Sequence, residues 1–259
     1  MVRWLRPLVA AELIKLGSLR TTWLLAASAV CVSLGIAFTD SRAAVAGAAT
    51  WTPAQRAAFE PVQATLGGLA WAQVAFALVG ILALSGEFGT GTIQPTLLAV
   101  PRRGRMLLAK VVVVAGTSLL VAVPLAFCCF LLGRRELVAA GVQASLADPG
   151  VLRAVVAAGV ITAAVAVLGL CLAAILRHAW AAVAALVAVY YLAYGLARSL
   201  AAWTTVPQRL LLTSIGDSLT MIRPPRPPLS HPATASLLLV GHLAVGLLGA
   251  ALAIRRDVS

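Results

Sequence analysis

The chain has 259 residues, 61% of them hydrophobic and 11% charged, with a mean hydropathy of +1.00. Soluble domains are about 45–50% apolar and about 25% charged, so this composition has too little polar surface to cover its apolar surface, which excludes a soluble globular fold. The formal net charge of +12 would suggest a nucleic-acid partner on a soluble basic domain, but the arginines here lie between apolar runs, where topology and anionic headgroups account for them without nucleic acid.

Residues 1–21 predict an interfacial helix. Leu5, Leu8, Val9, Leu13 and Leu16 share one face, and Arg3 and Arg6 lie away from it. Glu12 interrupts the stripe and is placed to pair with Lys15, three residues on. Arg20 follows, then the first apolar run, 22–38. At about 17 residues that run is longer than the 7–15 of a signal-peptide core, so it reads as a retained helix.

Crossing about 30 Å of hydrocarbon takes about 20 apolar residues. Five further runs meet that requirement, at 66–86, 106–132, 151–176, 179–197 and 234–254. The predicted fold is therefore an all-α transmembrane bundle of about six spans forming one domain. Residues 53–60 predict a short interfacial helix before the second span. Pro124 predicts a kink in the third. Only Arg177 and His178 separate the fourth and fifth, which predicts a tight antiparallel hairpin. Residues 198–233 form a loop whose Pro224, Pro225, Pro227 and Pro228 favour polyproline II. The Arg3–Arg20 and Arg102–Lys110 clusters place both termini on the cytoplasmic side of the cell membrane.

Chemistry inside the spans is sparse. None of the six runs contains Asp or Glu, the residues that proton relays and intramembrane aspartyl proteases need. Gln73 and His242 are the polar side chains with access to a transport path; the plainer reading of each is a hydrogen bond between helices. Tyr190, Tyr191 and Tyr194 read as an interfacial belt. Cys31, Cys128, Cys129 and Cys171 lie in apolar runs without a C-x-x-C pair and read as small apolar side chains. The GTGT at 89–92 lacks the GxxxxGK[ST] of a phosphate loop, so the chain has no nucleotide-hydrolysing site of its own, and no cofactor or metal set is visible.

The segment 86–110, GEFGTGTIQPTLLAVPRRGRMLLAK, is the most organised connection. Glu87 stands at the membrane exit, Gly89 and Gly91 permit a turn, residues 92–100 suit a short surface helix, and Pro101 ends it before Arg102, Arg103 and Arg105. This segment resembles the loop between the second and third spans of ABC transporter permeases of the second export class. Glu87, Gly91-Thr92-Ile93, Pro101-Arg102-Arg103 and Lys110 match the family pattern. The opening AELIKLGSLRTTWLLA, with Glu12, Lys15, Arg20 and Trp23, and the closing Arg255-Arg256-Asp257 are similar to the family's ends.

The resemblance implies a permease subunit in which loop 87–105 is a coupling helix seated on a separate ATP-binding subunit. That partner would carry ATP and magnesium, and a second permease copy would complete the assembly. Pro95, within the expected coupling helix, departs from the family pattern. The resemblance implies no enzymatic activity in this chain. A hydrophobic or amphipathic solute is the expected cargo. The alternatives are a polytopic membrane enzyme, a stand-alone channel, or an immunity protein without an ATPase.

Overall fold

The computed structural model describes residues 5–48, 50–89, 103–139, 141–142, 145–199, 209–222 and 232–255, and every regular element among them is helical. The helices are α1 (Leu5–Ser18), α2 (Arg20–Gly47), α3 (Pro53–Ala58), α4 (Pro61–Leu66), α5 (Leu69–Gly89), α6 (Arg103–Ala139) and α7 (Val151–Leu176). Then come α8 (Ala179–Val187), a π-helical turn (Ala188–Leu192), α9 (Ala193–Ser199), α10 (Leu212–Thr220) and α11 (Pro232–Arg255). Five helices are long and apolar enough to cross a membrane: α2, the α4–α5 unit, α6, α7 and α11. The molecule is an all-α bundle with the character of a multi-pass membrane protein.

α7 is the central helix. Buried positions make up 72% of its apolar window, against 17% for α2 and for α11. Its sequence explains this: alanine and glycine dominate, so neighbouring backbones come close on several sides. The tightest approach is to α5. A Cβ at Gly80 would fall 1.9 Å from the carbonyl oxygen of Ala166, and one at Gly169 would fall 2.4 Å from that of Ala77. Glycine is required at both positions because backbone, not a movable side chain, fills the space. α2 and α11 turn large apolar side chains outward, including Trp23, Leu24, Leu237 and Val245, as lipid-facing helices do.

The apolar runs locate the helices but underestimate their lengths. The first run, 22–38, extends to Gly47, and the third, 106–132, extends over all 37 residues of Arg103–Ala139 and passes through Pro124. Hydropathy detects the hydrocarbon-length part, whereas a helix continues until a breaker stops it. The short helix expected at 53–60 is α3, Pro53–Ala58, and a second short helix, α4, follows it. Thr52 caps α3 in a reciprocal capping box with Gln55, and Pro61 opens α4. The fourth run, 151–176, matches α7 at both ends. Gly150 and Arg177, both in left-handed backbone conformation (φ 87° and 57°), bound it. Arg177 and His178 make the expected tight turn into α8. Arg177 Nη2 also donates to the carbonyl of Ala253 at 2.8 Å, joining the ends of α7 and α11.

Candidate functional site

Glu87 was expected in a loop. It lies instead in the last turns of α5, which runs unbroken to Gly89. That helical position points its carboxylate at the first turns of α6, where Lys110 is buried with 1% of its side chain exposed. A lysine ammonium has three donors and no acceptor, and all three are matched. Lys110 Nζ donates to Glu12 Oε2 at 2.7 Å, to Glu87 Oε1 at 2.8 Å and to the Ala83 carbonyl at 3.2 Å.

Lys15 completes the group. Its Nζ lies 2.9 Å from Glu87 Oε1 and 3.5 Å from Glu12 Oε1. Two carboxylates and two ammonium groups thus neutralise one another, joining α1, α5 and α6 at one end of the bundle. Burial alone would lower the Lys15 pKa; the hydrogen bond to Glu87 and the charges of Glu87 and Glu12 outweigh it, and the net shift is upward. Glu87 Oε2 is buried without a hydrogen-bond partner.

The interfacial helix is only partly as expected. Leu16 is buried and Leu5, Leu8 and Val9 are half-buried, but Leu13 is 45% exposed. The interruption of the stripe by Glu12 has a physical reason: the inward face of α1 must deliver a carboxylate to Lys110. Arg20 stands exposed at the first residue of α2, outside the cluster. Gly91, Thr92, Ile93, Pro101 and Arg102, with the coupling helix expected at 92–100, lie outside the described residues. Arg103 opens α6. The four clustered prolines of 224–228 also lie outside the described residues.

Gln73 and His242 belong to different surroundings. Gln73 Oε1 accepts a hydrogen bond from the Tyr190 hydroxyl. Tyr190 therefore points into the bundle instead of forming part of an interfacial belt. It occupies the π-helical turn, whose extra residue shifts the helix register and re-aims side chains. His242 Nδ1 lies 2.8 Å from the Leu238 carbonyl, one turn back in its own helix, so that nitrogen carries the proton. The expected interhelical partner is thus an intrahelical one. His242 lines an apolar cavity of about 170 Å³ with Leu168, Cys171, Ile175 and Leu186, and Tyr190 separates it from a second, more polar cavity of about 140 Å³ beside Gln73. Cys129 and Cys171 are buried as expected, but Cys31 and Cys128 are exposed on the bundle surface.

Two features escaped sequence reasoning. Lys110 was visible only as part of a motif, not as the centre of a cluster. Helix α10 fell inside a segment read as loop, although Leu212, Ile215 and Leu219 carry helical spacing. Its C-terminal end is held by Arg153, which donates to the carbonyls of Leu219 at 2.7 Å and Met221 at 3.2 Å. A cation is favourable at that end of a helix dipole. Glu60 Oε2 accepts from the Ile222 N–H at 3.1 Å and anchors the same end.

No family model matches this chain, and no curated protein matches it.

Proposed function

We propose that the chain is the membrane-spanning permease subunit of an ATP-driven exporter in the cell membrane, energised by a separate ATP-binding subunit. In this reading the spans number six, with Ala179–Ser199 as the fifth, both termini are cytoplasmic, and two permease copies pair. ATP and magnesium reside in the partner, and the cargo is a hydrophobic or amphipathic solute.

The observation that carries the proposal is the Glu12–Lys15–Glu87–Lys110 cluster. It lies where α5 ends and α6 begins, at the base of segment 90–102, which carries the motif of a coupling loop. A force on that segment acts on α5 and α6 directly. The buried ion pairs add α1, because pulling one partner away would strand a desolvated charge at a cost of several kcal/mol. Three elements therefore move together or not at all, as a mechanical input requires.

The test is co-expression with a candidate ATP-binding-cassette subunit, followed by purification and reconstitution in liposomes. The expected result is a stable complex whose ATPase rate rises in the presence of the permease. Glu87→Gln, or Arg102→Ala with Arg103→Ala, should preserve the complex but lose most of that stimulation. Solute movement by the chain alone, without any ATPase, would overturn the reading.

A further inference from the structure

The cavity of about 140 Å³ lies between α4, the starts of α5 and α7, and the overlying helix α10. Its polar lining includes Gln63, Gln73, Tyr190, Thr213, Asp217 and Thr220. Some of these groups are satisfied within the protein. Gln73 and Tyr190 bond each other, and Thr220 Oγ1 donates to the Gly216 carbonyl at 2.9 Å. Others are not: Gln63 Oε1 and Thr213 Oγ1 are both buried without a hydrogen-bond partner. Orphaned buried polar atoms are uncommon in folded proteins and call for a partner. Both are contributed by the walls of one cavity, on opposite elements.

The charge of the lining selects the partner. Among the described lining residues the ionisable groups are the Asp217 carboxyl and the Tyr190 phenol, and no Lys or Arg is present. Burial pushes the Asp217 carboxyl above the ordinary aspartate range, and a cation beside it would offset that desolvation. An anion would face that carboxylate. A quaternary ammonium could neutralise it but has no N–H for the orphaned oxygens. A primary ammonium supplies one positive charge and three donors. The space is close to the about 150 Å³ of an engineered cavity that admits benzene, so it holds a head group of a few heavy atoms.

We propose that this cavity is a binding site for a primary ammonium group, with the Asp217 carboxylate as counter-charge and Gln63 Oε1 and Thr213 Oγ1 as its further acceptors. The strap at the end of α10, made by Arg153 and Glu60, holds Asp217 and Thr213 over the site. The site is built within one chain and does not depend on an ATPase partner, so it stands or falls apart from the exporter reading.

The test uses the full chain in phosphatidylcholine nanodiscs, without any ATPase, titrated with n-propylammonium chloride while its melting temperature is recorded. The expected result is a saturable rise in melting temperature. Asp217→Asn should weaken the apparent affinity by about tenfold or more, the usual effect of losing a charged hydrogen-bond partner. Gln63→Leu and Thr213→Val should each weaken it by a smaller factor, of about threefold to tenfold. An equal rise with n-propanol, tetramethylammonium or sodium chloride would overturn the proposal, as would an unchanged response in Asp217→Asn. No saturable rise into the tens of millimolar would mean that the cavity holds only water, and would overturn it too.

Discussion

Lys110 Nζ lies 2.7 Å from Glu12 Oε2, although 98 positions separate them in the chain. This pair joins α1 to α6, the helix that follows segment 90–102. It is almost wholly removed from solvent, with 1% of the lysine and 11% of the glutamate side chain exposed. Its removal should be costly in a way that surface ion pairs are not.

Lys110→Met should destabilise the protein by about 3–5 kcal/mol, because Glu12 and Glu87 would be left as two largely buried carboxylates sharing the half-exposed Lys15 as counter-charge. Adding Glu12→Gln and Glu87→Gln should recover most of the loss, since the buried charges are then all replaced and the remaining Lys15 is half-exposed to solvent. Denaturant unfolding in detergent reads both values. A loss in the single variant of less than about 1 kcal/mol would show that the cluster is not structural.

The α5–α7 crossing gives a second expectation. Gly80→Ala and Gly169→Ala each place a methyl group against a backbone carbonyl, and each should cost about 1–3 kcal/mol or more through forced separation of the helices. Gly116→Ala is the control. Nothing lies within 4 Å of its added Cβ, and it should gain up to about 1 kcal/mol from helix propensity. Equal melting temperatures in all three variants would refute the close-approach argument.

Tyr190→Phe removes the hydroxyl that donates to Gln73 and keeps the ring. Hydrogen bonds between membrane helices average about 0.6 kcal/mol with a maximum near 1.7, so a small loss within that range is expected. A double-mutant cycle with Gln73→Leu measures the coupling between the two side chains. No coupling would mean that the π-helical turn places Tyr190 for some other reason.

Asp217 supplies a pH dependence. Its folded-state pKa is raised above the model-compound 3.8, by burial. Between these two values the folded protein keeps a proton that the unfolded chain has released, so stability falls as pH rises through that window and levels off above the folded pKa. Asp217→Asn cannot lose the proton. The difference in melting temperature between Asp217→Asn and the parent chain should therefore widen in favour of the variant from about pH 4 upward. Arg153 and Glu60 hold the end of α10 through backbone groups in both proteins. A constant difference across the range would count against a desolvated carboxyl.

Local patterns revealed most of the fold. The run 151–176 coincides with α7 because a glycine precedes it and Arg177, in left-handed conformation, ends it. Other boundaries were less visible, since polar residues such as Asp40 and Glu136 prolong α2 and α6 without breaking them. The candidate site was legible only in pieces. The place of Glu12 in an apolar stripe is a local anomaly, but its cause is a lysine almost a hundred positions away, and no periodicity carries that information. Tyr190 was misplaced for a related reason: a π-helical turn changes which residue faces inward, and regular helical spacing does not register the shift. Helix α10 was hidden by its length, nine residues, too short to register as a span.

The chain order of the ion cluster bears on how the protein is made. Glu12, Lys15 and Glu87 all precede Lys110, and synthesis proceeds from the N-terminus. By the time the third long apolar segment leaves the ribosome, both carboxylates that will surround its lysine already exist at one end of the earlier helices. A lone ammonium in a nascent apolar segment resists entry into lipid; here a neutralising pocket is in place beforehand. Reversing all four charges together, with Glu12→Lys, Lys15→Glu, Glu87→Lys and Lys110→Glu, would restore the pairing in the finished protein while altering the charge that each segment presents during insertion.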